Sequence, residues 1–555
     1  MDRYLIYNFS GEIDDLSHLF PNERLAQLAA IIRAEGAEAE VWDRGNVDVM
    51  EELAPARWKR SVAGFAGERL FRTIAQNGGP NPLEKAVYGT PLKVVSGSME
   101  KEVERNYDDF MHREARRIAE GGFDAVILNL WQGGFGHSMR LAELVKEAAD
   151  IPVYGTGQRV DWFQQHILRH YSQLDGIILG LGYGTVRRLA RGEPFGELPN
   201  VAYMNGRATP ECTERRVTKV DALPMPDYSP EVYRGIEGLI PLAHVALSNQ
   251  ACPNRCAFCP RPTNYGRVVR RKPVEHAVQE VAKLCEQGFR HFRIADSTPP
   301  PGQLTDFADG IIRHRLHERD IRITAFSRID QNRDEDFELL RRAGFEALFF
   351  GLETLDDKGL RRIRKGITYE DIRHTLRRAH DEGFFVVGSL IFPLPGETAD
   401  SRETTFARLR ELEPWLDSVL IQPAGVYPSS PWGRNPEEFD IHLEDDYIAR
   451  LMDYPVKLII PMRFWPPFPF SYPIMGKPAA EVSFEDIRTA FESFARRVWR
   501  ELDVSNVQDY ALLVADMLDE EPRAFADHVK RVLITRDYDD LARIMARTRR
   551  ALQPA

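Results

Sequence analysis

Three of the chain's five cysteines fall within ten residues, ACPNRCAFCP, as Cys252, Cys256 and Cys259. The thiolate is the form of cysteine that binds metal. A structural zinc site usually takes four ligands in two pairs. No second pair follows here, and His244 and His276 have no paired spacing. Three thiolates spaced C-x3-C-x2-C suit a four-iron, four-sulfur cluster with one iron left open. An open iron can take a substrate or a cofactor, so the missing fourth ligand becomes the purpose of the site. Cys285, among the apolar positions of VAKLCEQGF, reads as a core thiol, and Cys212 as an inert one. Glu275 reads as a helix-start carboxylate and a minor candidate for tuning what binds the open iron.

The whole chain bounds this chemistry. Its 555 residues call for two to four domains. It is 43% hydrophobic and 28% charged, with a formal net charge of −11. That balance argues against general binding to nucleic acid or anionic membranes. No apolar run reaches membrane-spanning length, and the acidic opening MDRYLIYNFSGEIDD does not read as a secretory signal. Sparse cysteines fit a reducing, cytoplasmic compartment.

The elements that must position the cysteines come in two βα series. In the first, strands are expected at 4–8, 39–43, 125–130, 151–154 and 176–179, with a helix over 21–36 closed by Gly36. The last three strands end in WQGGFGHS, GTGQRVDW and GLGYGT, each followed by a helical pattern. That is the rhythm of an open, doubly wound sheet, which binds ligands beyond its carboxyl strand ends. Prolines 210, 224, 226 and 230 mark a linker. The second series has strands at 244–248, 291–295, 322–326, 347–351, 385–392 and 418–422. Six such units predict a partial barrel, with the cysteine stretch directly after its first strand. Beyond Trp432 a Pro/aromatic segment leads into amphipathic helices. The expected class is α/β: a Rossmann-like domain at 1–205, a linker at 206–240, a partial (βα)6 barrel at 241–430 and a mostly helical domain at 431–555.

The three-cysteine loop on a partial barrel resembles the radical SAM superfamily over about residues 241–427. Further segments carry the likeness: IADS, FSRID, a G-x-E element followed by Lys365-Gly366, and FPLPGET. The resemblance implies that Cys252, Cys256 and Cys259 hold the cluster. It also implies that S-adenosylmethionine (SAM) meets Phe258, Asp296, Arg328, Glu353, Pro395 and Gly396. Arg328 is the residue placed at the SAM carboxylate. Flavodoxin or ferredoxin is implied as electron donor.

With the Gly-rich first domain, the arrangement resembles the class B, cobalamin-dependent enzymes of that superfamily. The implied cobalamin contacts are Trp131, Gln132, Gly133, Gly134, His137, Ser138, Gly155, Gly157, Gln158, Gly180, Gly182 and Tyr183. The Asp-x-His-x-x-Gly motif that ligates cobalt from below is absent from the sequence. Arg69 is a candidate for keeping that lower face vacant, since arginine stays protonated and cannot ligate cobalt. Tyr265 and Tyr427 are candidates for the barrel mouth. The run 464–472 reads either as a substrate cover or as packing between domains.

The implied activity is carbon methylation, carrying a methyl group from SAM through methylcobalamin to a small molecule or peptide. An aromatic amino acid such as tryptophan, in antibiotic biosynthesis, is one candidate. A cobalamin-dependent cyclase and a non-enzymatic cobalamin or redox sensor are the alternatives. A methylthiotransferase would need more cluster cysteines before Cys212, and there are none.

Overall fold

A computed structural model describes residues 2–551 except 12, 55–81, 131–132, 207–208, 295, 297, 334, 453–461 and 463–464, with backbone alone at 82–100 and 158. Arg69, Trp131, Gln132 and the Gln158 side chain therefore lie outside the described residues.

Two sheets dominate the described residues. The first has eight strands: β1 (Arg3–Asn8), β2 (Glu38–Asp43), β3 (Ala125–Asn129), β4 (Val153–Thr156), β5 (Gly176–Ile178), β6 (Val201–Met204), β7 (Pro210–Cys212) and β8 (Tyr233–Arg234). Their order is β7-β6-β5-β4-β3-β1-β2-β8. β1 to β5 pair in parallel and are almost wholly buried, as expected for strands covered by helices on both faces. Helix Glu23–Ala34 begins where Asn22 accepts from the Leu25 amide.

The proline-bearing stretch does more than link. β7 pairs antiparallel with β6, and β8 adds in parallel to the far edge of β2. Tyr233 fixes that edge: its hydroxyl donates to Asp43 Oδ2 at 2.7 Å and accepts from the Asn22 amide at 2.8 Å. Prolines are tolerated here because edge strands can spare a donor.

The second sheet runs in sequence order: β9 (Leu242–Val245), β10 (His291–Ile294), β11 (Arg322–Ser327), β12 (Phe345–Glu353), β13 (Phe385–Ile391) and β14 (Ser418–Gln422). All five pairings are parallel. This is the expected six-unit partial barrel.

The C-terminal part closes it. Residues 503–507 run beside β14: the Val419 amide donates to the Ser505 carbonyl, and the Ser505 amide to the Asp417 carbonyl, each at 2.9 Å. Helix Asp509–Met517 then packs on β11 and β12. Asp509 is fully buried and accepts from Arg293 at 2.7 and 3.0 Å and from Thr324 at 3.0 Å. Tyr510 donates to Asp15 of the first domain at 2.6 Å. No helix among the described residues is long and apolar enough to cross a membrane.

Candidate active site

The cysteine loop leaves β9 and is tied shut at its neck. The Lys272 amide donates to the Leu247 carbonyl at 2.8 Å and the Cys252 amide to the Gly266 carbonyl at 3.1 Å. Its middle is clamped from two sides. The Ala257 amide donates to the Ile363 carbonyl at 2.8 Å, and the Ala257 carbonyl accepts from the Trp432 amide at 3.0 Å. These bonds bring the loop against segments more than a hundred residues away.

Cys252 and Cys256 are buried, and Cys259 is half-buried. Burial pushes the Cys259 thiol up to about 11, so a cation must bind for it to ligate as thiolate. Each sulfur meets a nitrogen donor. Asn254 Nδ2 lies 3.4 Å from Cys252 Sγ, and Arg328 Nη1 lies 3.2 Å from Cys256 Sγ. The backbone amide of Arg261 serves Cys259. Such donors suit the negative sulfurs of an iron–sulfur cluster. Among the described residues, no three acidic, His or Cys side chains converge on a single metal ion. A cluster makes no such demand, because each cysteine binds a different iron.

The other expected contacts sit at the carboxyl strand ends. Glu353 ends β12 with φ +67°, and its carboxylate meets buried Lys365 at 2.7 Å. Lys365 Nζ stands 5.7 Å from the centre of the Phe258 ring, and Phe258 packs against Trp432. Asp296 follows β10; it accepts from the Leu247 and Ser248 amides and the Ser248 hydroxyl, and burial still raises its carboxyl. Pro395 is buried, and its carbonyl accepts from Arg362 at 3.2 Å. The Gly396 amide donates to the Pro473 carbonyl at 2.6 Å. Glu275 is exposed and pairs with His314 at 3.0 Å. That partnership belongs to the outer helices.

In the first domain three helices start at glycines. Gly134, Gly157 and Gly182 precede helices Phe135–Ala148, Gln158–His170 and Tyr183–Leu189, none with a side-chain cap. Their leading amides are thus left for other acceptors at the strand ends. Several of these glycines also pack on the chain itself. A Cβ on Gly134 would meet the Phe9 carbonyl oxygen at 2.2 Å, and one on Gly155 would meet Leu130 Cδ1 at 2.8 Å. Ser138 is buried in the helix that follows Gly134. His137 stacks on Tyr107 at 4.1 Å, and buried Tyr183 donates to Glu23 at 3.4 Å. A buried polar row crosses the switch point: Asn129 donates to Asn8, and Asn8 to Asp43, each at 2.8 Å.

The two sets of strand ends meet. Trp162 and Tyr427 rings lie 4.6 Å apart. A Cβ on Gly180 would stand 3.4 Å from the Asn264 carbonyl. Tyr265, beside Asn264, lies under the guanidinium of Arg261 at 5.2 Å. Burial raises both Tyr265 and Tyr427. The aromatic run packs largely on its own neighbours: Phe468 lies 4.8 Å from Phe470 and 5.0 Å from Phe484.

Sequence reasoning missed several of these residues. Trp162, and Asp330, whose Oδ1 accepts from Arg328 Nε at 2.9 Å, stand inside segments noted for their glycines and their arginine, and only the fold gives them partners. Trp432 carries no sequence signal that ties it to Phe258.

The sequence model of the Radical SAM superfamily matches residues 248–409. That stretch is a radical SAM domain. Its cofactors are the four-iron, four-sulfur cluster and SAM, and the three-cysteine loop lies at the start of the match. An uncharacterized methyltransferase of Pyrococcus horikoshii is 25% identical over 282 residues, covering 49% of this chain and 60% of that protein. The tryptophan 2-C-methyltransferase of Streptomyces laurentii is 27% identical over 182 residues, 30% of each. The chain thus spans less than two thirds of either relative. In fold, the chain is similar to the radical SAM methyltransferase TsrM of Kitasatospora setae, solved with cobalamin and a [4Fe-4S] cluster. The TM-score is 0.63 at 15% identity, covering 98% of this chain and 100% of that one. The likeness extends beyond the radical SAM domain to both flanking parts.

Proposed function

We propose that this chain is a cobalamin-dependent radical SAM C-methyltransferase. One observation carries the reading: the carboxyl strand ends of the two sheets face each other, joined at Trp162–Tyr427 and at Gly180–Asn264. The cysteine loop lies on one side of that seam and the glycine-started helices on the other. Cobalamin, when bound, supplies a carrier for a methyl group between SAM and the accepting carbon.

The chain's own residues bind and orient. Cys252, Cys256 and Cys259 hold the cluster, and the clamp on Ala257 fixes the loop. Phe258, Lys365 and Glu353 form one wall of the SAM site, with Asp296 bracing the neck of the loop through Leu247 and Ser248. On the cobalamin side, the leading amides after Gly134, Gly157 and Gly182 offer donors to the corrin's amide groups and to the phosphate of the nucleotide tail. Gly133, Gly155, Gly180, His137, Ser138 and Tyr183 form the ends around them. Half-buried Tyr265 and Tyr427 cover the seam and limit the entry of water.

The substrate we propose is a small molecule or peptide with an acceptor carbon, an aromatic amino acid such as tryptophan being the first to test. The name of the Streptomyces laurentii relative supports that choice. An acidic one-electron donor, flavodoxin or ferredoxin, completes the scheme. Exposed Arg255, Arg267, Arg270 and Arg271 flank the cluster loop in a chain of net charge −11.

The test is anaerobic reconstitution followed by turnover with methyl-labelled SAM and a panel of aromatic amino acids and peptides. Corrin absorbance and label in a carbon-methylated product are expected. Deoxyadenosine with no methylated product would replace this reading with a cyclase or rearranging enzyme.

A further inference from the structure

The setting of Arg328 differs from the task that resemblance gave it. Its side chain is buried, with 5% of the residue exposed. Nη1 donates to Cys256 Sγ at 3.2 Å. Nε donates to Asp330 Oδ1 at 2.9 Å, and Nη2 to Asp330 Oδ2 at 3.3 Å and to the Lys365 carbonyl at 2.6 Å. The planar fork is held on both edges, so it cannot swing away from the sulfur. The donors at Cys252 and Cys259 are neutral. Among the described residues, Cys256 alone of the three receives a charged donor from a side chain.

A fixed cation beside a ligand sulfur favours whichever cluster state carries one more electron. Burial keeps that field from being screened. Hydrogen bonds to sulfur and local net charge are established levers on cluster potential. Asp330, with a side chain 29% exposed, opposes the cation from the far edge.

We propose that Arg328 raises the reduction potential of the cluster through Cys256, and that Asp330 is the counter-charge that limits the rise. The proposal rests on the reading that the three cysteines hold a four-iron cluster. It makes Arg328 a residue that tunes the cluster rather than one that serves the SAM carboxylate. The electron in question is a single one, taken by the oxidised cluster from dithionite through mediators.

The experiment is a mediated redox titration of the reconstituted, SAM-free holoprotein, followed by EPR. Arg328→Gln is expected to shift the midpoint to more negative potential. Arg328→Lys, which keeps the charge, is expected to return most of it. Asp330→Asn is expected to shift it the opposite way, to less negative potential. A purely structural role would not give opposite signs. An unmoved midpoint in Arg328→Gln with full iron overturns the proposal, as does a negative shift in Asp330→Asn. If Arg328→Gln fails to hold iron, Asp330→Asn decides: a positive shift supports the proposal and no shift overturns it. The wild-type iron count tests the cluster reading separately. Without iron that reading falls; with iron and unmoved midpoints, only the role of Arg328 falls.

Discussion

The rings of Trp162 and Tyr427 stand 4.6 Å apart, tilted by 38°, across the seam between the two sheets. Trp162 comes from the helix after β4 and Tyr427 from the loop after β14. Such a contact contributes about 0.5 to 1.5 kcal/mol beyond the area it covers. Trp162→Ala should lower stability by roughly 2 kcal/mol once lost packing is added. Trp162→Phe should recover most of that loss. Urea unfolding followed by fluorescence measures both, and corrin retention on gel filtration should fall in the alanine variant alone.

Replacing any one of Cys252, Cys256 or Cys259 by Ala should reduce iron after reconstitution from about four atoms per chain to near zero. Cys212→Ala and Cys285→Ala should leave it intact, because Cys212 is exposed on an edge strand and Cys285 is buried in a helix. Iron and sulfide assays decide. An unchanged iron count in Cys259→Ala would remove the three-cysteine site.

Asp509 and Arg293 form a buried pair at the join between the C-terminal helices and the barrel, their side chains 0% and 20% exposed. Asp509→Ala leaves a guanidinium without its counter-charge and should cost about 3 kcal/mol in chemical denaturation. The double replacement Arg293→Met with Asp509→Leu should be far milder, because it removes both charges together.

His244 sets an acid limb on stability. Burial, with Arg293 nearby, lowers its imidazole from 6.5 to about 3, and its Nε2 has no hydrogen-bond partner among the described residues. Between those values the unfolded chain binds a proton that the folded chain refuses. Stability therefore falls as pH drops through that window and is fully present above it. His244→Leu should flatten this part of a melting-temperature profile against pH. An unchanged slope would show that other groups set it.

Glu23 acts with the opposite slope. Burial raises its carboxyl from 4.5 to about 7, against Lys272 and with Glu280 and Asp296 adding to the rise; the Tyr183 hydroxyl donates to it. The folded chain holds a proton that the unfolded chain has lost, so this contribution is present below pH 4.5 and is lost as pH rises toward 7. Glu23→Gln should be more stable than wild type near pH 8 and should lose the decline between pH 5 and 7.

The cysteine loop, the parallel strands and the glycine turns were legible because each follows from local spacing. A parallel strand buried on both faces is a short apolar run, and β3 and β12 show it plainly. Lys272 shows the limit. It reads as one more charge in a basic stretch, yet its amine is buried against Glu280 and it sits beside Glu23 of the other domain. Position 272 precedes the helix carrying Glu280, so no helical spacing advertises the pair. β8 was hidden in the same way: two residues among prolines have no period, and only the exposed edge of β2 makes them a strand. The C-terminal helices were visible as amphipathic segments, but their amphipathicity does not say that Asp509 belongs beside Arg293.

That late strand has a consequence for synthesis. β2 is complete by residue 43, yet the partner that covers its outer edge arrives only at residues 233–234. A nascent or truncated chain ending near residue 205 therefore carries an open sheet edge at Val41–Trp42, and unpaired backbone of that kind can recruit other chains. A first domain made on its own should stay dispersed only when it runs past Arg234. On the ribosome, that edge must wait until the chain has nearly begun its barrel.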